Sequence, residues 1–136
     1  MFEIAEKIIE LRLATRKACM CEADYGNKKG TLSLKTKILF LISRSLSPRE
    51  IVLATRIAKT NLALLTKSMA DEGLIVKNKG NLDKREVSYV LTEKGKTYLD
   101  CRLSQIQNDI SKNFVSDEQY NDALDVLTRA IELLSD

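Results

Sequence analysis

The chain has 136 residues, 44% hydrophobic and 30% charged, the size and balance of one globular domain with a real core. It contains no histidine, which removes the commonest general base and every Ser-His or Cys-His pair, and it has no phosphate-binding glycine loop. Cys19, Cys21 and Cys101 are too few for a disulfide framework and, without histidine, make a zinc site a poor fit. An enzyme, a metal centre and a bound cofactor are therefore not expected.

The net charge of +3 conceals an asymmetry. From Lys28 to Lys96 there are 15 basic and 6 acidic residues, whereas the two flanks hold 7 basic and 13 acidic ones. A basic middle between acidic ends suits a domain that approaches phosphates while its ends do something else.

The first segment, Phe2 to about Asp24, reads as a helix. Ile4, Ile8, Leu11, Thr15 and Ala18 recur at steps of three and four, and Ile9 and Leu13 widen the apolar face. Its start, Met1 to Glu6, is acidic and amphipathic, unlike an export signal, so a cytoplasmic address is expected. No apolar run approaches the roughly 20 residues that span a bilayer. Gly26-Asn27-Lys28-Lys29-Gly30 then breaks the chain into a loop.

Leu34 to Ser45 is a second helix, apolar nearly all round through Ile38, Leu39, Leu41 and Ile42, and so expected to be buried. Ser47-Pro48-Arg49-Glu50 opens a third. Ser47 can accept from the first turn, Pro48 fits the first helical position and Glu50 closes a capping box. Ile51 and Ala54 share one face of it. Lys59 to Glu72 forms a fourth helix, with Leu62, Leu65 and Met69 inward and Thr60, Asn61, Leu64, Lys67 and Ser68 on the other side. Gly73 ends it.

Leu74-Ile75-Val76 reads as a short buried strand, Lys77-Asn78-Lys79-Gly80-Asn81 as a basic loop and Val87 to Leu91 as a returning strand. Thr92 can cap a long helix from Glu93 to about Asn113, whose seam is Tyr98, Leu99, Leu103, Ile106 and Ile110. Ser116-Asp117-Glu118-Gln119 opens a last helix with the seam Tyr120, Leu124, Leu127, Ile131 and Leu134. Three amphipathic helices at the two ends exceed what one small domain needs. Pairing with a second copy is the simplest use for them, and an intrachain bundle the alternative.

Asp83-Lys84-Arg85, then Leu91-Thr92-Glu93-Lys94-Gly95, resemble the D-x-R wing and L-T-x-x-G helix start of the MarR family of transcriptional regulators. Glu72-Gly73-Leu74-Ile75, between the fourth helix and the basic loop, matches as well. The resemblance covers Ser47 to Leu99. It implies a mainly α fold with a small β-hairpin wing (α+β), a winged helix-turn-helix over 31–96 within one 1–136 domain. Segments 1–25 and 97–136 would be dimerisation helices. It also implies a homodimeric regulator, a repressor by expectation, on double-stranded DNA. A two-fold dimer places its two recognition helices about 34–36 Å apart and predicts a pseudo-palindromic operator.

On that reading the fourth helix enters the major groove by its N-terminal end. Thr60 and Asn61 can hydrogen-bond base edges, and Leu64 is either a thymine-methyl contact or a core residue. Lys59 and Lys67 meet phosphates, as does Arg49 at a helix start. By resemblance Arg85 enters the minor groove with Asp83 orienting its guanidinium, while Lys77, Lys79 and Lys84 add salt-dependent attraction. The chain departs from the family at the turn, with Arg56 where glycine is usual and Thr55 where an apolar residue is usual. Ala58 is a weak cap for the recognition helix.

The release signal is less legible. The family resemblance implies a small aromatic or phenolic acid as effector, held between the dimerisation region and the DNA-reading part, or cysteine oxidation. Cys19 and Cys21, two apart on a helix, point about 200° from one another and cannot easily bridge. They are either separately reactive thiols or small helix-filling residues. The competing class is a winged-helix module for protein contact that reads no DNA.

Overall fold

The computed structural model describes residues 1–18, 33–79 and 87–135. In chain order it runs α1 (Glu3–Ala18), α2 (Leu34–Ser43), α3 (Pro48–Thr55), α4 (Lys59–Asp71), β1 (Ile75–Lys79), β2 (Val87–Leu91), α5 (Glu93–Ser111) and α6 (Asp117–Leu134). The strands form an antiparallel hairpin, with Ile75 opposite Leu91 at the base and Lys79 opposite Val87 toward the tip. No helix among the described residues is long and apolar enough to cross a membrane.

Local chemistry sets the element boundaries. Ser33 caps α2, its Oγ accepting from the Thr36 amide at 3.0 Å. At α3 the capping box is complete: the Glu50 amide donates to Ser47 Oγ and the Ser47 amide to Glu50 Oε1. Hydrogen bonds from the Ser47 backbone, and secondarily its side chain, hold the Glu50 carboxyl below the usual glutamate range. α4 closes in a Schellman arrangement. Gly73 takes φ +79°, its amide reaches Ala70 O, and the Leu74 amide reaches Met69 O, both at 3.0 Å. Thr92 caps α5 through the Gly95 amide, as expected. At α6 the expected box is displaced by one residue. Ser116 Oγ accepts from the Gln119 amide, but the Gln119 side chain accepts from Val115 rather than from Ser116.

The buried core belongs to the middle of the chain: Ile38, Leu39 and Ile42 of α2, Ile51 of α3, Leu62 and Met69 of α4, then Leu74, Ile75, Leu91 and Leu99. α2 is less enclosed than its composition suggests. Leu41 is half-buried, and Phe40 lies at the surface under the Arg44 guanidinium, 5.0 Å from the ring centre. On α3, Ala54 is exposed, and Val52 and Thr55 flank Ile51 instead. On α4, Leu65 is only half-buried and Thr66 completes the inner seam. Its hydroxyl bonds back to Leu62 O at 2.9 Å, which makes a buried threonine tolerable.

The hairpin corrects one expectation more substantially. Lys77 and Asn78, read as loop, are strand residues paired with Tyr89 and Ser88, and the strand starts at Ile75 rather than Leu74. Cross-strand backbone bonds extend the ladder past the apolar run, with Ile75 and Lys77 on one face by the two-residue period. Leu74 serves the base instead, where its carbonyl accepts the Thr92 amide at 3.0 Å.

The terminal helices are organised differently. α6 has no buried residue, and Leu124, Leu127, Ile131 and Leu134 all stand exposed. Its described links to what precedes it are few: Gln107 Nε2 of α5 donates to the Tyr120 hydroxyl at 2.8 Å, and Tyr120 meets Phe114 of the connecting segment edge to face. α1 likewise exposes Ile4, Ile9 and Leu13. The described residues do not form an intrachain bundle that would cover these seams.

Candidate nucleic-acid interface

α3 and α4 are joined by a three-residue turn, Arg56 to Ala58. Arg56 caps α3 in the left-handed conformation, φ 60° and ψ 24°, with its amide on Val52 O. A side chain there costs on the order of 1 kcal/mol relative to glycine, and the turn nevertheless forms. Ala58 offers α4 no side-chain acceptor, so the first-turn amides lack a side-chain cap at the end expected to meet DNA.

Thr60, Asn61, Leu64, Lys67 and Ser68 lie together on the exposed side of α4. Leu64 is 69% exposed, which settles its alternatives against the core. The opposite side of the helix is fixed: Leu62 and Met69 enter the core, and the Tyr89 hydroxyl of β2 donates to Thr66 Oγ1 at 3.3 Å. The middle of the hairpin is thereby tied to the inner side of α4.

Arg49, Arg56, Lys59, Lys67 and Lys77 are exposed around this surface, and none is paired with a carboxylate among the described residues. Cations held without internal partners are available to an external polyanion. Lys79 is the last residue of β1. Asp83, Lys84 and Arg85 lie outside the described residues, as do Cys19 and Cys21. Lys79 and Val87 form the outermost described pair of the hairpin. Cys101 is a free, exposed thiol on α5.

A feature absent from the sequence reading is a cleft of about 1030 Å³ between the start of α3, the first turns of α4 and the hairpin. Arg49, Lys59 and Lys77 stand around it, and Val52, Leu53, Leu62 and Tyr89 supply apolar walls. Consecutive elements build it, but residues up to about 40 positions apart meet across it, from Ser47 to Tyr89, so no local pattern announces it. Only the three cations were legible individually.

No family sequence model matches the chain, and no curated protein matches it by sequence. Solved structures do match its fold. A mutant of MarR from E. coli aligns with a TM-score of 0.65 and 17% identity, covering 93% of this chain and 94% of that one. A transcriptional regulator (MarR family) from Rhodococcus sp. RHA1 aligns with a TM-score of 0.58 and 16% identity, over 91% and 86% of the two chains. BpsR from Bordetella bronchiseptica, described through the regulation of its DNA binding by 6-hydroxynicotinic acid, aligns with a TM-score of 0.57 and 14% identity, over 100% and 94%. The chain has the winged helix-turn-helix fold of MarR-family regulators, α+β with a two-stranded wing.

Proposed function

We propose that this chain is a homodimeric, sequence-specific regulator of transcription that binds double-stranded DNA, acting as a repressor in the cytoplasm. The observation that carries the reading is the exposed face of α4, where Thr60, Asn61 and Leu64 sit between exposed cations while the helix's other side is locked into the core. α4 enters the major groove by its N-terminal end. Thr60 and Asn61 hydrogen-bond base edges, and Leu64 meets a thymine methyl. Lys59, Lys67 and Arg49 hold phosphates, fixing register without reading bases. Arg85, oriented by Asp83, reaches the minor groove from the wing, and Lys77, Lys79 and Lys84 add backbone attraction.

The dimer forms through 1–25 and 97–136. The exposed seams of α1 and α6 support this, because so much large aliphatic surface is unusual on a chain that stays alone. A second copy covers both seams and doubles the DNA contact across a pseudo-palindrome. Release follows from a small aromatic or phenolic anion, or from thiol oxidation at Cys19 and Cys21. The cleft beside α4 lies within the DNA-reading part, not between it and the dimerisation region as the family resemblance implies, and has suitable chemistry for the anion: apolar walls to take a ring and three cations to take its charge. An anion there competes with phosphate for Arg49, Lys59 and Lys77.

The test is fluorescence anisotropy on the duplex upstream of the protein's own gene beside a scrambled duplex, across a salt series. Selective binding with a steep salt slope is expected, and Arg85→Ala weakens it by about 1–3 kcal/mol with the dimer intact. Selectivity that survives Arg85→Ala undiminished would remove the wing from the mechanism. Equal, weak binding to both duplexes and to a randomised duplex pool would favour a winged-helix module for protein contact.

A further inference from the structure

Where α4 ends, three helices meet through polar contacts. Glu72, the cap residue of α4, places Oε2 2.8 Å from the Lys35 ammonium in the first turn of α2. Lys35 also lies over the Tyr98 ring of α5, 4.8 Å from its centre, and its side chain is 22% exposed. The backbone carbonyl of Glu72 accepts from the Lys94 ammonium at 2.8 Å, in the first turn of α5. One residue on, the Gly73 carbonyl accepts from the Thr92 hydroxyl at 2.6 Å. α4 and α5 otherwise make few direct contacts among the described residues. These contacts, with the Thr92 amide on Leu74 O beside them, bear on the angle between recognition helix and α5, and their side chains lie away from the proposed DNA face.

We propose that Glu72 and Lys35 are positioning residues. With Tyr98 and Lys94 they clamp the end of the recognition helix to the root of α5, and so set the attitude in which each dimer arm presents its recognition helix. The proposal rests on the DNA-reading function put forward above, and its physical content is a local one. A cation shared between a carboxylate and an aromatic face on two different helices resists their relative rotation. Sequence-specific binding needs both recognition helices in register with one helical repeat, whereas electrostatic binding to any duplex does not. Loss of the clamp thus lowers selectivity and spares non-specific affinity.

The test places spin labels at Ser68→Cys on the exposed side of α4 and at the native, exposed Cys101 of α5, with Cys19 and Cys21 replaced by serine. Labelled chains are diluted with unlabelled ones so that the distance read is within one chain. A single narrow distribution is expected for the parent. Glu72→Ala and Lys35→Met broaden it, while Lys35→Arg, which keeps a cation over the ring, retains it. Binding to a duplex selected from a random pool falls by about three- to fivefold in the two broadened variants, the size of an exposed ion pair, with scrambled-duplex affinity unchanged. An unaltered distribution in folded Glu72→Ala overturns the clamp, and so does a broadened one with full selectivity. If the parent selects no duplex, the DNA-reading function fails, and the distance measurement alone decides whether the clamp exists.

Discussion

The middle of the chain and its two ends use apolar residues to opposite purposes. Between α2 and the first half of α5, Ile38, Leu39, Ile51 and Ile75 are essentially sealed from solvent, and α2, α3 and α5 each begin at a side-chain cap. In α1 and α6 the apolar residues are as regularly spaced, yet they face outward. The same 3.6-residue periodicity therefore specifies a finished interior in one region and an unfinished surface in the other. Periodicity shows that a face will be covered. What covers it depends on whether enough other elements of the same chain are near.

The contrast can be broken most sharply at Gly95. A Cβ there would run into the carbonyl oxygen of Leu74, so α5 and the backbone leading into β1 can only approach as they do around a glycine. Gly95→Ala should cost at least about 3 kcal/mol in chemical denaturation, because backbone must move. A loss under 1 kcal/mol would mean that the middle region is far more plastic than its burial implies. The opposite disturbance belongs at the ends. Ile131→Glu on exposed α6 should leave the secondary structure of the middle region intact while weakening self-association by at least about a hundredfold in sedimentation equilibrium. An unchanged association constant would place the dimer interface elsewhere.

Smaller effects sharpen the boundary further. Lys67 is exposed on α4, and Lys67→Ala should lower the slope of log affinity against log salt by about one, without changing which duplex is preferred. A change in preference would make Lys67 a base reader. Smallest of all, Arg56→Gly removes a left-handed side chain and should raise stability by up to about 1 kcal/mol, offset by the greater freedom glycine gives the unfolded chain. A loss of DNA affinity in that variant, measured beside its melting curve, would assign the Arg56 cation to phosphate.

Legibility followed the range over which each feature is determined. The Ser47–Glu50 box, the Gly73 stop and the Thr92 cap are settled by residues three or four apart, and they are found as expected. The strand identity of Lys77 and Asn78 was not legible, because it is conferred by Tyr89 and Ser88 on the other side of the hairpin. Thr66 is polar yet buried. Its burial depends on a bond back to Leu62 and on a tyrosine 23 positions later. The outward side of α4 was readable by subtraction, since the inward one was. The cleft beside it was not, being assembled from α3, α4 and the hairpin together. Glu72 stood within a recognised run, yet nothing local points to Lys35 as its partner.

The hairpin is closed at its base twice over, by the pairing of Ile75 with Leu91 and by the Thr92 amide on Leu74 O, next to the contact that demands Gly95. Register is thus fixed at the anchored end, and residues inserted or deleted between Lys79 and Val87 leave it unaltered. Such a hairpin is a natural site of evolutionary length variation. Descendants can lengthen, shorten or exchange the segment between the two strands, while the scaffold beneath stays under unchanged selection. The same property makes the stretch between Lys79 and Val87 a place to graft a foreign sequence.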